Sequence, residues 1–101
     1  MATNKMRPIH PGEILREEFL APLDMSAHAL AMHLHVPAPR INDIVRERRT
    51  VTPDTALRLA RYFGTTAQFW LNLQSSFDLK LAAGELGRKI DREVRPLQPA
   101  A

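Results

Sequence analysis

The chain has 101 residues, 45% hydrophobic and 25% charged, which is typical of one globular domain and excludes a two-domain enzyme. The absence of cysteine excludes a disulfide scaffold, a thiolate zinc site and a thiol nucleophile. The formal net charge is only +3, so a preference for a polyanionic partner depends on where that charge lies along the chain.

The first predicted element is a helix that begins at Pro11, since a missing N–H costs little in a first helical turn. Apolar residues recur at helical spacing through Phe19, and Pro22 predicts its end near residues 20–21. No segment of the chain reads as a strand, so we predict an all-α fold.

A second helix is predicted to start after Ser26, whose hydroxyl suits an N-cap, and to end near residues 33–34. His35-Val36-Pro37 forms a tight connection to a third helix that starts near Ala38 and ends at residue 46 or 47. Ile41, Ile44 and Val45 give this helix its buried stripe, and Pro39 fixes its start.

A fourth helix is predicted from Thr52, a suitable N-cap followed by proline, to Gly64, a suitable left-handed terminator. A fifth begins at Thr65 or Thr66 and continues through Phe77. Gly84 and Gly87 argue against a regular extension beyond that. We therefore divide the chain into a flexible arm (residues 1–8), one helical domain (9–87) and a flexible tail (88–101).

The positive charge is concentrated around the third helix. Residues 36–63 carry a net +3, all of it from arginine, whereas residues 1–35 sum to −1 and residues 64–101 to +1. Two short helices joined by a tight turn match a helix-turn-helix unit, whose second helix enters the DNA major groove. The predicted DNA-binding residues are Ser26, Ala38, Pro39, Arg40, Asn42, Asp43, Arg46, Arg48 and Arg49.

Each assignment has a structural alternative. Arg40 is the main base-reading candidate but could be an exposed arginine on a solvated face. Arg46, Arg48 and Arg49 suit phosphate contacts and would also complement the C-terminal end of the third helix. Asn42 is equally compatible with a structural role.

Phe69, Trp70 and Leu73 are predicted to contribute to a homodimer interface, because a last helix often packs against a symmetry mate. Burial in the core is the alternative for the two aromatic residues.

Metal binding and catalysis are not expected. His28, His33 and His35 lack the i, i+3 or i+4 spacing that brings two ligands together on a helix. No phosphate-binding glycine loop or catalytic motif is present. We predict no enzyme activity, no cofactor and no metal.

Sequence blocks in order along residues 10–80 resemble the HigA-type antitoxins, also known as virulence-associated protein I-like proteins, of the phage-repressor-like (XRE/Cro) helix-turn-helix family. The blocks are His10-Pro11-Gly12-Glu13-Ile14-Leu15, Ala29-Leu30-Ala31, Ile41-Asn42-Asp43-Ile44-Val45, residues 51–60, Phe63-Gly64-Thr65 and Phe69-Trp70-Leu71-Asn72-Leu73-Gln74.

The resemblance implies a five-helix DNA-binding domain that works as a homodimer. It also implies an antitoxin that neutralises a RelE-like ribonuclease toxin and represses its own operon at a palindromic operator. We expect such a protein in the cytoplasm, associated with the nucleoid and without membrane contact, because no stretch approaches about 20 apolar residues and no signal peptide is evident.

The chain departs from the family pattern at three places. Glu47 stands where a glycine is frequent, Ala27 replaces a frequent glutamine, and the third helix opens with Pro37-Ala38-Pro39-Arg40. Two alternatives therefore stay open: a transcriptional regulator without a toxin, or a protein-interaction module that no longer binds DNA.

Overall fold

The computed structural model describes residues 7–98, which contain five helices and no strand. Helix α1 covers residues 11–23 in three consecutive segments: α-helical Pro11–Ile14, π-helical Leu15–Leu20 and α-helical Ala21–Leu23. The others are α2 (Ala27–Leu34), α3 (Ala38–Val45), α4 (Pro53–Phe63) and α5 (Ala67–Glu93). The all-α prediction is confirmed. The predicted arm falls largely outside the described residues.

The predicted end of α1 near residues 20–21 is wrong, because the helix passes through Pro22 to Leu23. The N–H of Ala21 bonds to the carbonyl of Arg16, five residues back, instead of four. This wider π turn relieves the clash of the proline ring with the preceding turn, so the helix continues. It stops at Asp24, which is left-handed with φ 51°.

Three predicted helix starts and ends are confirmed by hydrogen bonds or dihedral angles. The N–H of Ala29 donates to the hydroxyl of Ser26 over 3.0 Å, and the N–H of Phe69 donates to that of Thr66 over 3.0 Å. Gly64 ends α4 with φ 76°. Thr52 is the N-cap of α4 but makes no side-chain capping bond; its hydroxyl instead lies 3.4 Å from that of Thr55.

The core lies between α1, α2, α3, α4 and the first third of α5. Its fully buried side chains include Leu15, Leu30, Ile41, Ile44, Leu59 and Trp70. Phe19 links α1 to this core, with its ring centroid 4.8 Å from that of Phe63 and 5.0 Å from that of Trp70. Burial of this apolar surface is the main stabilising contribution to such a small domain.

Helix α5 is regular to Glu93, so the expected irregularity after Phe77 is wrong. Backbone hydrogen bonding outweighs the cost of Gly84 and Gly87, which is about 1 kcal/mol each relative to alanine. The helix crosses the predicted domain boundary at residue 87 and helps make the molecule 59 Å long but only 24 Å wide. Its distal half, residues 78–93, exposes Leu79, Leu86 and Ile90.

Candidate functional site

Helices α2 and α3 form the predicted helix-turn-helix, connected by a turn at His35. This residue adopts a left-handed conformation with φ 58°, and its N–H bonds back to the last turn of α2. The N–H of Val36 bonds to the carbonyl of Ala31 over 3.1 Å. Such a left-handed termination turns the chain sharply, so α3 begins only four residues after α2 ends.

An open polar cleft of about 380 Å³ lies where the N-terminal turns of α3 and α4 meet the loop that joins them. Two predicted DNA-binding residues, Arg40 and Arg49, line it together. Five further polar side chains that we did not predict line it as well: Thr50, Thr52, Asp54, Thr55 and Arg58. Guanidinium and hydroxyl groups are the donors that contact DNA phosphates and guanine edges.

Arg40 is not a free side chain. Its Nη1 lies 2.7 Å from Oδ2 of Asp54, and Nε of Arg58 lies 3.0 Å from the same oxygen. Hydrogen bonds from Arg58 and from Arg40 hold the pKa of the Asp54 carboxyl below its ordinary value, so it is ionised at neutral pH. Two of the three arginines in the cleft, Arg40 and Arg58, are therefore arranged around the Asp54 carboxylate.

The loop after α3 has a fixed backbone with projecting arginines. Glu47 adopts a left-handed conformation with φ 63°, and the N–H of Arg48 donates to the carbonyl of Asp43 over 2.8 Å. Arg49 pairs with Asp43 at 3.2 Å. Arg46 and Arg48 are exposed and make no ion pair within the described part of the chain, so both can reach an anionic partner.

Helix α1 contacts both this loop and the end of α3. The guanidinium of Arg16 donates to the carbonyl of Val45, the last residue of α3, and its Nη2 lies 3.4 Å from a carboxylate oxygen of Glu47. Gly12 packs so closely that a Cβ built there would lie 1.7 Å from the carbonyl oxygen of Ile44. Buried His10 caps α1 by accepting the N–H of Gly12 over 2.8 Å.

The remaining predicted DNA-binding residues differ in their exposure and in the hydrogen-bonding groups that they leave unused. Ala38 is half-buried and Pro39 exposed, both in the first turn of α3. The side-chain amide of Asn42 donates to the carbonyl of Ala38 over 3.1 Å, which favours its structural role while leaving its oxygen free. The Ser26 hydroxyl accepts from Ala29 and retains its own O–H for a phosphate.

Trp70 does not belong to a dimer interface. It is completely buried within the single chain, and its indole N–H donates to the hydroxyl of Thr65 over 2.8 Å. Phe69 is 37% exposed and Leu73 is half-buried. The interface prediction therefore remains only for Phe69 and Leu73.

Four polar residues that position the site were missed from the sequence: Arg16, Asp54, Arg58 and Gln74. Gln74 is 5% exposed, and its carbonyl accepts the N–H of Val51 over 2.8 Å, which ties the loop before α4 to α5. One signal for Gln74 was available, since it lies one helical turn after Trp70 on a buried face. Asp54 and Arg58 also had a local signal, since they form an i, i+4 pair on one helix face. The bonds from Arg40 to Asp54, from Arg58 to Leu34 and from Arg16 to Val45 cross 14 or more residues and have no local signature.

Within residues 7–98, no group of three or more His, Asp or Glu side chains is arranged to hold a metal ion. His33 instead stacks on Tyr62, with ring centroids 5.1 Å apart and planes 17° from parallel. No helix in this range is both long and apolar enough to cross a bilayer.

Comparison with known proteins gives matches to one family. The helix-turn-helix family model HTH_3 matches residues 15–70. Virulence-associated protein I of Dichelobacter nodosus is 66% identical over 79 residues, covering 78% of this chain and 73% of that protein. Antitoxin HigA-1 of Vibrio cholerae is 35% identical over 79 residues, covering 78% and 74%. The solved structure of Pseudomonas aeruginosa antitoxin HigA with the higBA promoter superposes with a TM-score of 0.90 at 56% identity, covering 91% of this chain and all of that one.

Proposed function

Because this chain belongs to the helix-turn-helix family, in its HigA-type antitoxin branch, we propose that it binds an operator in its own promoter and represses transcription. One observation carries the proposal: Arg40 in the first turn of α3 shares a cleft with Arg49, while Arg46 and Arg48 project from the adjoining loop. This places a base-reading donor beside several phosphate-binding ones. Such a protein acts in the cytoplasm, at the nucleoid.

In this proposal, α3 lies in the major groove and Arg40 contacts a guanine with its two free donor groups. Arg46, Arg48 and Arg49 contact phosphates on the flank and set the register. The contacts of Arg16 in α1 with Val45 and Glu47 fix the position of that loop relative to α1. The N-cap hydroxyl of Ser26 adds a phosphate contact at the start of α2.

A gel-shift titration on the DNA upstream of the gene tests this function. Arg40→Ala is expected to weaken operator binding by about 1–3 kcal/mol and random DNA binding by less. Arg88→Ala, on the distal part of α5, removes the same charge far from the cleft and serves as the control. An equal loss on both DNAs for Arg40→Ala would assign Arg40 to phosphate contact.

Salt dependence separates phosphate from base contacts. The logarithm of the binding constant should fall with the logarithm of salt by about 0.9 per phosphate contact. Replacement of Arg46 or Arg48 by alanine should lower that slope by about one unit each. Binding that does not respond to salt, or that is equal on scrambled DNA, would contradict a sequence-specific repressor.

We further propose that the chain neutralises a RelE-like ribonuclease toxin encoded beside it, on the strength of its kinship with antitoxin HigA-1. Co-expression should rescue growth from the neighbouring gene product, and the two proteins should co-purify. Operator binding without rescue would instead make the chain a regulator without a toxin. Co-purification without an operator shift at low salt would make it an interaction module.

We propose that the protein acts as a homodimer, because one reading helix contacts only one half of a palindromic operator. Two exposed apolar regions can form the interface: Phe69 with Leu73, and the distal face of α5 with Leu79, Leu86 and Ile90. Sedimentation of Phe69→Lys and of the double variant Leu86→Lys/Ile90→Lys distinguishes them. The variant that becomes monomeric identifies the interface, and a monomeric wild-type chain would contradict the proposal.

A further inference from the structure

The carboxylate of Asp54 in α4 links this helix to α3 at the edge of the cleft. Its Oδ2 accepts from Nη1 of Arg40 in α3 over 2.7 Å and from Nε of Arg58 in α4 over 3.0 Å. Arg58 extends further, since its Nη1 donates to the carbonyl of Leu34 at the end of α2 over 2.8 Å. The carboxylate that holds Arg40 is thus itself held by Arg58, which is bonded to the end of α2.

This arrangement leaves most of the Arg40 guanidinium available. A guanidinium has five N–H groups, and the bond to Asp54 uses one nitrogen, Nη1. Nε and Nη2 remain for a planar acceptor pair such as the O6 and N7 atoms of guanine. The Arg40 side chain keeps 30% of its surface exposed, and the ion pair to Asp54 does not use these two nitrogens.

A carboxylate at this position weakens DNA binding unless neighbouring cations offset its charge. A bare anion beside phosphates repels them, and Arg40 and Arg58 together offset that repulsion. An arginine fixed in one geometry loses less rotamer entropy when it binds than a mobile one. A fixed arginine is also restricted to the position where its donors match one base. DNA with another base at that position therefore gains less binding free energy from this arginine.

We propose that Asp54 is a positioning residue for sequence readout: it fixes Arg40 and thereby increases discrimination between operator and other DNA. This inference rests on the proposed operator binding and deepens it. Asp54 touches no base. Its removal would free Arg40 to contact phosphates indiscriminately and would delete one negative charge, and both changes favour random DNA.

The test measures dissociation constants of the full chain for an operator fragment and a scrambled fragment of equal length, at one salt concentration. For Asp54→Asn, the ratio of scrambled to operator dissociation constants is expected to fall by about three- to tenfold. Asp91→Asn removes an equal charge from the exposed distal part of α5 and is expected to leave the ratio unchanged.

A double-variant cycle shows whether Asp54 acts through Arg40. In an Arg40→Ala background, Asp54→Asn is expected to change the ratio by less than about twofold. A merely structural role for Asp54 would lower the ratio equally in both backgrounds, which overturns the inference. Circular dichroism and thermal melting check that each variant is folded, and Asp54→Glu, which keeps the charge, should recover part of the lost ratio.

Failure of this inference is distinguishable from failure of the proposed function. If the wild-type chain shows no preference for the operator, the operator-binding proposal itself fails. If the wild type discriminates and Asp54→Asn discriminates equally well, only the positioning role is overturned. A higher ratio in Asp54→Asn also overturns it, because Asp54 would then withhold Arg40 from DNA. Should Asp54→Asn not fold, Arg58→Gln, which loosens the same carboxylate, replaces it with the same expected direction.

Discussion

The packed body, residues 10–77, and the distal half of α5, residues 78–93, use glycine in opposite ways. In the body, a Cβ on Gly12 would lie 1.7 Å from the carbonyl oxygen of Ile44, so α1 approaches the end of α3 more closely than any other residue allows. In distal α5, a Cβ on Gly84 or Gly87 would meet nothing within 4 Å. The same residue is a packing requirement in one region and a cost to helix stability in the other.

This contrast extends to the rest of the two regions. The body is specified by side-chain contacts between helices, such as the burial of Trp70 and the capping of α1 by His10. Distal α5 is held by its own backbone hydrogen bonds, and its apolar side chains Leu79, Leu86 and Ile90 remain exposed. Substitutions should therefore change the free energy of unfolding little in distal α5 and lower it in the body.

The largest expected effect is in the body, at Trp70. Trp70→Ala removes a fully buried ring and its hydrogen bond to Thr65, so it should lower the free energy of unfolding by about 3–5 kcal/mol. Chemical denaturation measures the loss. Phe69→Ala, with its ring partly exposed, is the control and should cost clearly less. Equal losses would mean that Trp70 is not the buried member of the pair.

Gly12→Ala is expected to have the second-largest effect on the free energy of unfolding. The new methyl group overlaps the backbone of Ile44, and neither backbone can move without disturbing α1 or α3, so we expect a loss of about 1–3 kcal/mol or more. Thermal melting measures it, with Gly84→Ala as the control that adds the same methyl group in open space. A stable Gly12→Ala would show that α1 does not approach α3 so closely.

The opposite sign is expected in distal α5. Gly84→Ala and Gly87→Ala should each raise helix stability by up to about 1 kcal/mol, because alanine loses less backbone entropy than glycine. Mean residue ellipticity at 222 nm and amide hydrogen exchange of residues 80–93 detect the gain. A loss of stability would indicate that a partner packs against these glycines.

The smallest expected effect is a pH dependence centred on His10. Burial lowers the pKa of its imidazole, although Glu47, Asp78 and a hydrogen bond with the backbone of Arg49 oppose that shift. The unfolded chain therefore binds the proton more readily than the folded one. The stabilisation that His10 contributes is therefore fully present above pH 6.5, the ordinary pKa of histidine, and is lost as the pH falls below it.

Urea midpoints at pH 7.5 and 5.5 measure this loss. His10→Asn keeps an oxygen acceptor for the N–H of Gly12 but has no imidazole to titrate, so its midpoint should change less over the same interval. An equal decrease in both proteins would assign the pH dependence to other groups.

Local signals in the sequence predicted most of the fold. The caps at Ser26 and Thr66 and the left-handed Gly64 act within a few residues, and each is confirmed. Of the predicted buried stripe of α3, Ile41 and Ile44 are buried and Val45 is only partly so. Pro22 and the two distal glycines were misread because neighbouring backbone hydrogen bonds outweigh their individual propensities. The residue types alone do not reveal that balance.

The candidate site was only half predictable. Arg40 and Arg49 were found because basic residues cluster around α3, and the cleft brings both of them together. The ion pair from Arg40 to Asp54 spans 14 residues, and the bond from Arg16 to Val45 spans 29. Such contacts depend on how the helices pack, so no spacing rule along the chain points to them.

Arg16 and Glu47 have an evolutionary consequence. Glu47 holds a left-handed conformation that glycine adopts at lower cost, and its carboxylate pairs with Arg16. A glycine at position 47 would relax the backbone and at the same time remove one of the two carboxylates that pair with Arg16, leaving only that of Glu17. Among descendants of a common ancestor, a change at position 47 should therefore alter how α1 is joined to the loop after α3.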